Sequence, residues 1–381
     1  MAMKQTTNEA FLFILICLGL IACTGGPAPL PAATFTPTAT ATATLPPPTA
    51  TVTPEPTPTA TPSPVPTPNP AALSAAAKRG LAQVRAAAGD AELICFRYED
   101  TNGDGAPEWL ALTRPPGVER LSAFILDGEA FYALPAAQPE PGKPDYGLGQ
   151  YATCEIEVRD VNGDGRPEVA IFGHAEANKT LLHLYVWENG EYRLLGAFSG
   201  TAGVFFKDDD GDLAEEIVEG YHERAAPELA WQVIFTWDGQ TYGWTWDRWS
   251  WFFLARPHAY PTHQPKYAVI SFYLALNDRD LPGAYALLTS AAQAARPYDD
   301  WALGFATTTR VEVSSVERML GIGDETHARV SALVTSWDNE AGRIIARTWE
   351  VKWETELTPG GWRIAGGTMD LLDTWEAKYW K

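Results

Sequence analysis

The sequence predicts a mixed fold: an all-β array of three four-stranded repeats, followed by an α+β domain. Three observations predict it. An acidic nine-residue segment occurs three times: Asp100 to Glu108, Asp160 to Glu168 and Asp208 to Glu216. Each copy is followed by an apolar run, and then by an Asp-Gly or Asn-Gly pair 27, 29 or 30 residues after its first Asp. Beyond residue 262 the texture changes to helical spacing first and strand patterning after.

The chain of 381 residues opens on a leader. Lys4 precedes an apolar run from Phe11 to Leu20, too short to span a bilayer as a helix. The run ends in Leu20-Ile21-Ala22-Cys23, which resembles the lipobox of bacterial lipoproteins. That resemblance implies a signal peptide over residues 1–22. It also implies lipidation of Cys23 and a membrane anchor made of acyl chains on the outer, extracytoplasmic side.

Residues 23–72 are nearly all Thr, Pro, Ala and Ser, with Glu55 as the one charge. Such a composition has no apolar core to bury and reads as a disordered stalk. Thr-Pro alternation favours an extended chain, with a reach on the order of 150 Å. An Ala-rich stretch at 73–91 is expected to form a short helix.

Residues 92–254 carry the repeats. The apolar runs Trp109–Leu112, Val169–Phe172 and Ile217–Val218 read as strands. The pairs Asp127-Gly128, Asn189-Gly190 and Asp238-Gly239 read as tight hairpin turns. Each unit becomes strand, acidic loop, strand, strand, turn, strand, a propeller-blade-like pattern. Three units are too few to close a propeller, so an open array packed on its flanks is expected.

Oxygen side chains at positions one, three, five and nine of a Gly-containing loop suit a hard cation. The loops resemble those of FG-GAP/VCBS repeats, the calcium-bearing units of integrin-type propellers. The resemblance implies calcium ligands at Asp100, Asn102, Asp104 and Glu108, then Asp160, Asn162, Asp164 and Glu168, then Asp208, Asp210, Asp212 and Glu216. Glu stands at position nine where the family usually has Asp. Leu213 replaces the glycine that Gly105 and Gly165 supply, so the first two loops are the better sites. An EF-hand is excluded in loops one and two, where position twelve is Ala111 or Ile171 rather than a carboxylate. Metal-free acidic turns are the alternative, since Asp, Asn and Gly favour turns anyway.

Cys95 and Cys154 occupy equivalent positions before loops one and two. In an exported chain they form a disulfide or stay as two small buried residues; the sequence leaves both open. Residues 231–253 hold six tryptophans, including Trp231, Trp244, Trp246, Trp249 and Trp251. They read as buried sheet faces, with an exposed sugar-binding platform as the alternative.

After a linker at 256–261, Pro265 starts a helix and a second helix is expected over Leu281 to Ala295. Four strands follow, over 310–318, 327–337, 343–357 and 362–372. This order resembles the NTF2-like cone fold, and residues 262–381 are read as such a domain. Enzymatic members of that fold use cavity Asp, His or Tyr groups, so Tyr273, Asp299, Asp300 and His327 are the residues to examine. No metal-spaced histidines, nucleophile elbow or phosphate loop are visible.

The net charge of −20 argues against nucleic acid as a partner. The expected function is a non-catalytic surface lipoprotein, with a calcium-stabilised binding or adhesion module for a cell-envelope polymer or protein. The alternatives are a small-molecule-binding or enzymatic NTF2-like lipoprotein and a carbohydrate binder.

Overall fold

The computed structural model describes residues 70–377, apart from 140, 143, 177 and 253–258. The leader, Cys23, the stalk up to residue 69 and the first half of the linker lie outside the described residues. Residues from Arg79 onward belong to one compact unit.

Helix α1 (Pro70–Ala88) ends at Gly89, whose φ of 59° suits a residue without a Cβ. From Arg79 on it packs on one face of the first sheet, built from β1 (Glu92–Glu99), β2 (Glu108–Arg114), β3 (Ser122–Asp127) and β4 (Ala130–Leu134). Val84 seats on Ala111, Phe124 and Leu126. Gly80 lies so close to the Trp109 indole that an added Cβ would come within 1.9 Å of a ring atom.

The second sheet comprises β5 (Tyr151–Arg159), β6 (Glu168–Ala175), β7 (Lys179–Glu188) and β8 (Glu191–Gly200). The third comprises β9 (Val204–Lys207), β10 (Glu216–His222), β11 (Leu229–Trp237) and β12 (Tyr242–Trp251). Each sheet is an antiparallel meander, and none is closed. The acidic loop joins the first and second strands of each, as the sequence predicts.

The sheets stack face on face, and strand alternation sets the layers. On β6, Val169 and Ile171 join Leu110, Leu112 and Ile125 of the first sheet. Their neighbours Ala170 and Phe172 join Val204 and Ile217 of the third. Burial on both faces is why β6 is apolar almost throughout.

Only one of the three turns takes the conformation expected of it. Asn189 and Gly190 have φ values of 54° and 85°. In the first sheet Asp127 already pairs with Ala130, so the turn is Gly128-Glu129. In the third, Trp237 pairs with Tyr242 across a four-residue loop. Asp238 stabilises that loop by accepting bonds from the Gln240 and Thr241 N–H groups.

Four helices come next: α2 (Pro265–Asn277), α3 (Leu281–Ala286), α4 (Ser290–Ala295) and α5 (Tyr298–Ala302). A meander of β13 (Thr308–Gly323), β14 (His327–Glu340), β15 (Arg343–Thr358) and β16 (Gly361–Glu376) closes the chain. The single helix expected over 281–295 is two. Ile364 N–H donates to Leu287, and Thr289 N–H donates to Ile364, which draws the chain out of helix. The Thr289 hydroxyl then caps α4.

Helix α2 packs on the sheet through a core that includes Phe272, Val313, Val334 and Trp353. The same core contains Leu229, Trp249 and Trp251 of the third sheet region. The array is therefore not free on this side: the C-terminal sheet and helices cover its last layer.

Candidate metal centres

Loop one folds around its own acidic side chains. Asp100 accepts from the N–H groups of Gly103 (2.8 Å) and Gly105 (2.9 Å). Asn102 accepts from Asp104 N–H, and Asp104 accepts from Ala106 N–H. Gly103 and Gly105 have φ values of 76° and 88°, which the tight loop requires.

Glu108 begins β2 and is 1% exposed. Its Oε2 accepts from both the N–H (2.7 Å) and the hydroxyl (2.6 Å) of Thr101. Its Oε1 is buried without a hydrogen-bond partner. Burial pushes the carboxyl above its ordinary value against the pull of the Thr101 bonds. Asp100, Asp104 and Glu108 each offer an oxygen within 4.8 Å of the others. Two oxygens across one calcium ion, each at about 2.4 Å, stand that far apart. The three carboxylates thus form a cluster able to hold a metal ion.

Loop two repeats the frame. Asp160 accepts from Gly163 and Gly165, Asn162 from Asp164, and Asp164 from Arg166. Its carboxylates nonetheless do not gather as a cluster. Glu168 accepts from Val161 N–H on Oε2 (3.0 Å) and from the Asn162 amide on Oε1 (2.9 Å), so both oxygens are engaged. In loop one Thr101 supplies both bonds to a single oxygen and leaves the other open. The Asn162 amide on Oε1 is the contact that distinguishes loop two from loop one, where Oε1 of Glu108 has no hydrogen-bond partner.

Loop three, the weakest by sequence, does gather Asp208, Asp210 and Asp212 within 4.8 Å. Glu216 stays buried and accepts from Asp209 N–H. Leu213 adopts φ 79° where Gly105 and Gly165 stand in the other loops, and it is 71% exposed. A side chain there costs roughly 1–2 kcal/mol. Leu213→Gly is expected to raise unfolding stability by about 0.5–1 kcal/mol, because glycine's extra unfolded-state freedom offsets part of the relief. Guanidinium unfolding at fixed calcium checks this; a loss of stability would contradict the strain argument.

The three loops lie in a row. A Cβ on Gly103 would meet the Pro167 ring at 3.1 Å, and one on Gly163 would meet the Leu213 carbonyl oxygen at 3.5 Å. The second residue of each loop is where the next layer takes hold. The Thr101 hydroxyl bonds the Tyr192 hydroxyl at 2.6 Å. The Val161 carbonyl accepts from Tyr242 and from Glu215 N–H. Asp209 meets Arg248 of β12 and Arg310 of β13. Sequence reading missed these residues, because Thr101 and Val161 carry no metal-ligand chemistry and Asp209 hides in an acidic run.

The other candidates separate cleanly. Tyr273 is core, accepting from the Trp353 indole at 3.0 Å. Asp299 and Asp300 are exposed in the first turn of α5. His327 is exposed beside Asp324. The four stand in separate surroundings: the core, the first turn of α5 and an exposed turn. Of the tryptophans, Trp249 and Trp251 are buried and Trp231 packs edge-on against Trp249 at 5.2 Å. Trp244 is 64% exposed. The sulfurs of Cys95 and Cys154 are joined in a disulfide, with Cα atoms 5.9 Å apart.

No helix of the described residues is long and apolar enough to cross a membrane. No protein-family model matches the chain, and no curated protein matches it in sequence.

Proposed function

We propose that the chain is a non-catalytic bacterial surface lipoprotein. Cys23 anchors it outside the cell membrane, and the Thr/Pro stalk lifts a calcium-stabilised binding or adhesion module toward a cell-envelope polymer or protein. In this reading the three sheets are FG-GAP/VCBS-like blades and residues 262–381 form an NTF2-like domain. The observation that carries it is Glu108, a buried carboxylate with one oxygen unpartnered beside Asp100 and Asp104. An unpaired buried charge is costly unless a cation completes it. The row of loops on one edge supports a structural rather than catalytic ion. Three stacked layers share the loops, so an ion there holds adjacent sheets in register.

Calcium titration of the melting temperature tests this. An extracellular site with a Kd of ~10⁻⁴ to 10⁻³ M gains about 1.4–2.7 kcal/mol at 10 mM calcium. For one site that raises Tm by roughly 3–10 °C over the chelated protein. No shift with calcium or chelator would sink the metal reading.

The effect has a pH sign. Burial, then the charges of neighbouring aspartates, hold Glu168 and Glu216 up at about 7 against an ordinary 4.5. A raised carboxyl contributes most stability below 4.5 and loses it as pH rises through 7. The chelated protein should therefore melt lower at pH 8 than at pH 5. The calcium-induced shift should grow as pH rises, because Glu108 of the loop-one cluster, which burial holds above its ordinary value, binds the ion in its ionised form.

A further inference from the structure

Side chains of the C-terminal sheet go alternately to two faces. On β13, Val311 and Val313 enter the core with α2, while Arg310, Glu312 and Ser314 face away from it. On β14, Ala332 and Val334 go inward while Thr335 and Trp337 go outward. The outward residues line a groove of about 690 Å³, within the size range of small-ligand sites. Trp246 and Asp247 of β12 complete it from the third sheet, Asp210 from loop three, and Trp375 from β16. This groove lies on the face opposite the helices, so it is not the interior of a cone.

Its charges are largely spoken for. Arg248 meets Asp209 at 2.8 Å and Glu312 at 2.6 Å, and Arg310 also pairs with Glu312. Arg310 further stacks over the Trp337 ring at 4.9 Å. Glu376 faces Arg343 at 3.6 Å. Asp210 belongs to the third acidic cluster. An anionic ligand would find the groove's guanidinium groups already paired. What the groove offers is the Trp246 and Trp375 indoles, the Ser314 hydroxyl, the Thr335 and Thr348 hydroxyls bonded to each other at 3.1 Å, and the Asp247 carboxylate. A ligand with an apolar C–H face for an indole and hydroxyls around its rim matches that lining, and a sugar ring has this form.

We propose that the groove between the third sheet and the outer face of the C-terminal sheet binds a neutral oligosaccharide, with Trp246 and Trp375 as its aromatic surfaces. The proposal rests on the reading of the chain as a binding module and is independent of the calcium reading. Of the β11–β12 aromatic strip it keeps Trp246, while Trp231, Trp249 and Trp251 are spent on the core.

The full-length protein is titrated with neutral hexasaccharides of glucose, xylose, mannose and N-acetylglucosamine, in calcium and in chelator, by calorimetry and indole fluorescence. Saturable binding of at least one is expected. Trp375→Ala and Trp246→Ala should each weaken it about tenfold, the equivalent of one lost stacking surface. Trp375→Phe should recover most of the affinity, and Trp244→Ala, outside the groove, should leave it unchanged. Trp375 is partly exposed on a terminal strand, so its variants keep the fold if Trp246→Ala does not. Absence of binding to all four sugars by calcium-loaded protein of native Tm overturns the proposal. Equal weakening by Trp244→Ala overturns it too, as does competition at the groove by tetramethylammonium, inorganic phosphate or a fatty acid in preference to sugar. Sugar binding together with a Tm indifferent to calcium supports the groove and removes only the metal reading.

Discussion

Arg248→Met is expected to destabilise the fold by about 3–5 kcal/mol, measured by guanidinium unfolding. The guanidinium is only 7% exposed and lies between Asp209 (3%) and Glu312 (10%). It also donates to Gln232 at 2.8 Å. Removing it leaves two buried carboxylates short of their main counter-charge, the costly way to break a buried pair. Arg248→Lys keeps the charge but loses the guanidinium that meets both acids through one nitrogen while its Nε holds Gln232, so an intermediate loss is expected. The loss should also depend on pH. Burial pushes Asp209 up, but Arg248, Lys207 and Arg310 together hold it below its ordinary 3.8. A depressed carboxylate contributes stability above 3.8 that fades as pH falls through its folded value. The gap between wild type and Arg248→Met should narrow in acid. A gap unchanged from pH 7 to pH 3 would mean that packing, not charge, carries the effect.

The position of this network says what the sequence could and could not reveal. The repeat was legible because it is local: loop, strand and turn signals lie within 30 residues of one another. The joints between layers were not, because each pairs a loop's second residue with one far along the chain, 91 residues away for Thr101 and Tyr192. Such pairings leave no periodicity to read. The same limit explains the ranking of the loops. Counting ligands favoured loop two over loop three, but the Asn162 amide turns on Glu168 while Asp208, Asp210 and Asp212 converge. Ligand identity was visible; which oxygen a neighbouring donor occupies was not. In the C-terminal region the strands were legible by alternation. The break between α3 and α4 depends on Ile364, nearly 80 residues downstream, and was invisible locally.

Loss of the Cys95–Cys154 bond is expected to cost about as much as loss of Arg248, for a different reason. The two cysteines sit on β1 and β5, the first strands of stacked sheets, and each lies where its strand slips register against its partner. Those bulges let equivalent positions of neighbouring repeats approach. The bond closes a loop across a sequence separation of 59, and in the chain-entropy account that removes about 4 kcal/mol of unfolded-state freedom. Cys95→Ser, Cys154→Ser and the double variant should therefore lose nearly the same stability, because each breaks one and the same bond. Losses that add from the single variants to the double would instead indicate two independent buried thiols. Intact-mass measurement gives the complementary result: alkylation without reductant should label neither cysteine, and reduction should expose both. The bond also bears on address. It persists in an oxidising compartment and is reduced in a cytosolic one. Protein taken directly from cells with both cysteines protected from alkylation would support the folded part lying outside the membrane. Free thiols in freshly quenched cells would count against the lipoprotein reading, whatever the stability of the bond in vitro.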